Sequence, residues 1–339
     1  MAAKSTLMLV LVAASAMLAE SATCGTSSES GGCHDRKESL KLKFIAIASI
    51  LAASMIGVSL PLVMQAVPAL GPDRDAFVIV KAFASGVILA TGYMHVMPDS
   101  FDDLMSECLP ENPWRKFPFT TFVAMLSAIA TLMVDSFAMS LYKKHNISRF
   151  GVTGGKADGD VVAVVENGGT NLDGEKKEQL IRYRVVAQVL ELGIVVHSVV
   201  IGLSMGTSDN VCTIRPLIAA LCFHQMFEGM GLGGCILQAE FGMKLKAIMV
   251  FFFSVTTPFG IALGIGLSNV YSPDSPTALI VVGLLNASSA GLLNYMALVD
   301  LLGADFLGPR LQASMKLQGW AYVAVFLGAG LMALMAKWA

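Results

Sequence analysis

Residues 222–234 read CFHQMFEGMGLGG, and the chain on both sides is apolar enough to form a helix that never meets water. Yet a histidine, a glutamine and a glutamate fall within five consecutive positions, 224–228. On a helix His224 and Glu228, four apart, stack on one face about one turn from each other. Gln225 stands beside them, off that face by one residue's rotation. An ionisable side chain at the centre of a membrane helix costs about 2.5–3.5 kcal/mol on insertion scales, so those present face a bundle interior and do a job there.

The rest of the chain supports lipid as the solvent. Of 339 residues, 55% are hydrophobic and 14% charged, about half the charged share of an ordinary soluble domain; mean hydropathy is +0.67. A net charge of −2 gives no reason to expect a nucleic-acid partner. Eight apolar segments have the ~20 residues needed to cross the hydrocarbon core: 44–67, 77–98, 119–142, 184–205, 214–236, 246–269, 278–299 and 320–337. Backbone groups in lipid must be satisfied within the segment, which leaves helices as the form such runs take. The fold class expected is therefore all-α, an integral membrane bundle of eight transmembrane helices.

Lys and Arg orient it. The loop 143–183 and the adjoining Arg184 carry Lys143, Lys144, Arg149, Lys156, Lys176, Lys177, Arg182 and Arg184, with Lys244, Lys246, Arg310 and Lys316 on the same side. The positive-inside rule puts that side in the cytosol and both termini outside it. Residues 1–22, with Lys4, the apolar run LMLVLVAASAMLA and small residues after it, have the layout of a secretory signal peptide. An extracytosolic segment 23–43 follows, then three spans in 44–142, a Gly-, Asp- and Lys-rich cytosolic loop 143–183 expected to be disordered, and five spans in 184–339. Plasma membrane is the address expected, with an endomembrane left open. Cys24, Cys33, Cys108 and Cys212 fall outside; a Cys24–Cys33 bridge and a metal site at Cys33, His34 and Asp35 are both open readings.

Polar residues recur inside other spans. ELGIVVHSVVIG in the fourth places His197 and Ser198 past its middle, and antiparallel packing brings them level with His224 and Glu228 near the midplane. Two imidazoles and a carboxylate form an N,N,O site suited to Zn²⁺ or Fe²⁺ rather than Ca²⁺ or Mg²⁺; Mn²⁺ and Cd²⁺ fit the same donors. The second span ends TGYMHVMPDSFDDL, with His95, Asp99 and Asp103 at four-residue spacing toward the outer face and Pro98 expected to bend or end the helix. Asp135 and Asp300 lie at inner depth. The series reads as a path with an outer vestibule, a midplane site and an inner exit. GLSMG (202–206), GMGLG (229–233) and GIALG (260–264) are small-xxx-small patterns for close helix packing.

HSVVIGLSMG and CFHQMFEGMGLGGCI resemble the signature of the plant zinc/iron-regulated transporter (ZIP) family. FTTFVAMLSAIATLMVDSFA, SVTTPFGIALGIG and NASSAGLLNYMALVDLLGADF resemble its third, sixth and seventh helices. The resemblance implies eight helices, termini outside, and uptake of divalent metal into the cytosol by shifting one helix bundle against another, often as a homodimer. It implies metal ligands at His197, His224 and Glu228 with Ser198 and Gln225 adjoining, His95 and Asp99 toward the entrance, and Asp135 and Asp300 toward the exit. Bacterial relatives with a two-metal centre carry a carboxylate where this chain has Ile201, so one transported ion is expected at the midplane. The cytosolic loop holds only His145 where the family often has a histidine run. No catalytic cofactor is expected, the metal being cargo. Two competing functions are a metal-responsive receptor and an intramembrane metalloenzyme. The second needs the H-E-x-x-H order, whereas this helix reads His-x-x-x-Glu.

Overall fold

The computed structural model describes residues 33, 35–64, 74–150, 168–268 and 275–336, with side chains described outside 142–150 and 168–178. The expected signal peptide, Cys24 and His34 lie outside the described residues. Eight long helices follow one another: α1 Arg36–Met64, α2 Asp75–Leu104, α3 Phe119–Phe150, α4 Gly168–Thr207, α5 Val211–Gln238, α6 Met243–Leu267, α7 Pro276–Phe306 and α8 Met315–Met335. No β-strand occurs among the described residues. Helices α3 and α4 extend into the 143–183 segment, so residues 151–167 form the connection and lie outside the described residues.

Among the described residues seven helices are long and apolar enough to cross a membrane, against the eight expected, and α5 is the one that falls short. Arg215, His224, Gln225 and Glu228 lower its hydropathy, and its buried residues include all three of the polar residues at 224–228. α5 is instead wrapped by protein. α1 packs along it, with α2 and α4 on other sides.

The helices sort into two groups. α1 packs on α5 and α6, and α4 on α6; α2 packs on α8 and α7, and α3 on α7. Contacts of α2 with α5 and of α4 with α7 join the groups. The glycine patterns serve the first group. A Cβ at Gly202 would lie 2.6 Å from the Thr257 carbonyl oxygen on α6, and one at Gly264 the same distance from Leu203 O on α4, so only glycine allows these backbones so close. Gly229 and Gly233 meet Val58 on α1 in the same way.

One end of this first group is stapled. Cys33 is bonded to Cys212, which overturns both open readings for Cys33. The pairing follows from packing: α1 and α5 start side by side, the Val211 amide donates to Cys33 O at 2.8 Å, and Lys43 pairs with Asp209 at 3.3 Å. Arg215 also pairs with Glu38. Cys108 is disulfide-bonded too. This end is called the disulfide end below, and the opposite one, from which the 151–167 connection leaves, the loop end.

Candidate metal site

Helix α2 decides where the site lies. Pro98 neither ends nor breaks it, and the helix runs on to Leu104. Proline lacks the N–H of an ordinary helical turn and clashes with the carbonyl four residues back. The turn Gly92–Val96 immediately before it is π-helical, and the Met97 amide reaches back five residues to Gly92 O. Wide turns of this kind occur frequently at functional sites. His95 sits on this one, buried. Nine residues separate it from the helix end, about 14 Å at 1.5 Å per residue, or nearly half of a ~30 Å hydrocarbon core.

His95, read from the sequence as part of the outer vestibule, stands in the structure beside the other two histidines, His197 and His224. Antiparallel packing of α2 on α5 pairs Lys81 with Gln238 and sets Ile88 against Gly231. One further step of seven residues on both helices brings His95 to His224. Their ring centroids are 5.6 Å apart, those of His95 and His197 5.8 Å, and those of His197 and His224 5.9 Å. Three helices, α2, α4 and α5, thus each deliver one imidazole to a triangle, and the triangle bridges the two groups.

Most polar atoms around this triangle lack a partner. Both nitrogens of His197 and of His224, Nε2 of His95, both carboxylate oxygens of Glu228, Oγ of Ser198 and Nε2 of Gln225 are buried with no hydrogen bond. Native interiors leave few such atoms, and each costs about 1–3 kcal/mol unsatisfied. A cation is the partner this donor set fits, since neutral imidazole and carboxylate are lone-pair ligands. Three imidazoles on one ion with ~2.1 Å bonds place their ring centres about 5 Å apart. The triangle is wider than that by less than about 1 Å, and among the described residues no three His, Cys, Asp or Glu side chains stand close enough together to hold a metal ion as they are placed.

Other polar residues surround the triangle. Gln225 Oε1 meets the Thr257 hydroxyl of α6 at 3.4 Å, and a hydroxyl, being donor and acceptor, holds the amide whichever way it is turned. Toward the disulfide end, Asp99 Oδ2 lies 3.9 Å from His95 Nδ1, half exposed, and Asp103 meets the Asn286 amide at 3.5 Å. Toward the loop end, Asp135 and Asp300 line one cavity of about 520 Å³ with Tyr295, Gln179, Ser136 and Arg182. Asp300 stands on a second π-helical stretch, Met296–Gly303.

The structure brings His95, His197 and His224 together, with Ser198, Gln225 and Glu228 near them along α4 and α5; Asp99 and Asp103 lie toward one end, and Asp135 with Asp300 toward the other. Sequence reading passed over Thr257, Arg182 and Tyr295. It also passed over Ser254 and Ser289, whose hydroxyls are buried without partners. Serine in an apolar helix usually bonds back to the carbonyl four residues earlier, as Ser288 does to Leu284, so sequence gave no signal that these two do not.

Comparison with known proteins shows the family. A family model described as ZIP zinc transporter matches residues 40–336. The rice (Oryza sativa subsp. japonica) Fe(2+) transport protein 1 is 58% identical over 331 residues, covering 91% of this chain and 87% of that protein. Zinc transporter 7 of Arabidopsis thaliana is 58% identical over 350 residues, covering 97% and 93%, and the Arabidopsis Fe(2+) transport protein 1 is 58% identical over 320, covering 93% and 90%. These relatives carry the names of transporters, not enzymes. With its apolar helices, its central cluster of unpartnered donors and these matches, the chain belongs to the ZIP zinc transporter family of multi-pass membrane proteins.

Proposed function

We propose that the chain carries Zn²⁺ and Fe²⁺ into the cytosol through eight transmembrane helices, with His197, His224 and Glu228 binding the ion at mid-membrane. The relatives' names supply both metals. The observation that carries the site is the histidine triangle with its unpartnered donors, completed by His95. Asp99 and Asp103 gather the ion at the disulfide end, His95 with Ser198 and Gln225 completes its dehydration, and Asp135 and Asp300 receive it at the loop end.

Two features support the direction. The Cys33–Cys212 bond belongs in an oxidising compartment, which makes the disulfide end extracytosolic. The loop end carries the excess of Lys and Arg. α8 runs parallel to α2, Val78 packing with Ala321 and Val87 with Met332, so the described chain begins and ends at the disulfide end. α5 is the eighth span, admitted by its neighbours rather than by its own hydropathy. The plasma membrane and a homodimer complete the reading, with the metal moving as the first helix group shifts against the second.

The test is uptake of radiolabelled zinc and ferrous iron in transport-deficient yeast, comparing wild type with His224→Ala and Glu228→Ala at matched surface abundance. Loss of uptake in both variants is expected, and uptake kept in both overturns the site.

A further inference from the structure

Resting on that reading, we propose that Arg182 is a tethered cation that holds the exit carboxylates between transport events and expels the metal from them. Asp300 is the most buried member of the loop-end cavity, its side chain 3% exposed, and Arg182 Nη2 approaches its Oδ1 at 3.8 Å. The Arg182 side chain is itself 47% exposed, reaching from α4 of one group to α7 of the other. Asp300 Oδ2 and both Asp135 oxygens remain without hydrogen-bond partners. Tyr295, Gln179 and Ser136 supply the remaining polar lining.

Two carboxylates facing one cavity repel each other and attract any cation strongly in low dielectric. Left alone, such a pair would hold a divalent ion that is meant to leave. A guanidinium within reach changes that balance. At 3.8 Å it forms an ion pair without the closer geometry of a hydrogen bond, so an arriving M²⁺ can displace it. Being anchored to the helix, it then competes for the same carboxylates at high local concentration and returns as the metal departs. Arginine suits this work, since it stays charged at every relevant pH and binds carboxylates through several donors. The pair also joins the two groups at the loop end, so its opening accompanies their separation.

The experiment measures zinc uptake kinetics in yeast and equilibrium zinc binding to the purified full-length protein, for Arg182→Gln, Arg182→Lys and Arg182→Gln/Asp300→Asn. Arg182→Gln is expected to gain a retained zinc equivalent and to lose maximal uptake on the order of tenfold, the effect of about 1.4 kcal/mol. The double variant loses the extra zinc, and Arg182→Lys, which keeps a cation, recovers most of the turnover. The proposal is overturned if Arg182→Gln turns over like wild type, or slows without retaining zinc, the result of a purely structural role. His224→Ala in the same assay separates the two levels. If it abolishes uptake while Arg182→Gln behaves as wild type, the central site stands and the tethered cation falls; if it transports normally, both fall.

Discussion

Three imidazoles from three helices make the centre of this protein, and each is exchangeable for a test. His95 touches the same space as His197 and His224, and the proposed reading therefore gives it a part in the binding step and not only in the approach. His95→Ala is expected to lower maximal zinc uptake as severely as His197→Ala. An entrance role alone would raise KM and leave the maximal rate unchanged, and uptake kinetics tell the two apart. Acidity acts on the same atoms. A histidine binds metal only through a neutral ring nitrogen, so protons and metal compete. Lowering the external pH strengthens that competition across the acid range, and uptake should fall with it. Labelled zinc uptake measured across that range checks the sign; a rise in acid would mean that protons accompany the metal.

At the scale of helices, the apolar runs predicted every span that the structure draws, because lipid imposes one length and one backbone solution. The four-residue spacing of His224 and Glu228 was equally legible, since a helix turns by a fixed angle. The meeting of His95 with the other two histidines was not. Pro98 was expected to bend or end the helix, and the hydrogen bond from Met97 to Gly92 shows how α2 continues past it. Arg182 hid among the charges of the 143–183 segment, and the partner of Cys33 lies 179 residues away, beyond any local pattern. Nor does the sequence single out Lys81, whose side chain is 5% exposed and which meets Asp305 at 3.0 Å and Gln238 at 3.1 Å. It ties α2, α5 and α7 together at the loop end. Lys81→Met leaves Asp305 beside an apolar chain, and breaking a buried pair in this way costs about 3–5 kcal/mol. Thermal unfolding of the purified protein in detergent should show a clearly lowered midpoint, and an unchanged midpoint would remove this contact from the account of stability.

The molecule as a whole consists of two helix groups that meet at the metal donors. His197, His224 and Glu228 ride on one group, which is fastened internally by the Cys33–Cys212 bond and by glycine contacts, while His95 belongs to the other. Bonds across the divide gather at the loop end, where Lys81 meets Gln238 and Arg182 meets Asp300. The arrangement of α5 has a consequence for how the protein is made. This helix carries His224, Gln225 and Glu228 at its centre, and their burial is supplied by neighbouring helices. The insertion machinery weighs each emerging segment by its hydropathy, and central charged residues count against entry by kilocalories each. A reporter fusion carrying α5 by itself should insert less efficiently than one carrying α4 through α6 together. Replacing His224, Gln225 and Glu228 by leucine should let α5 enter unaided. If these side chains hold the cargo as proposed, biosynthesis and transport pull on them in opposite directions.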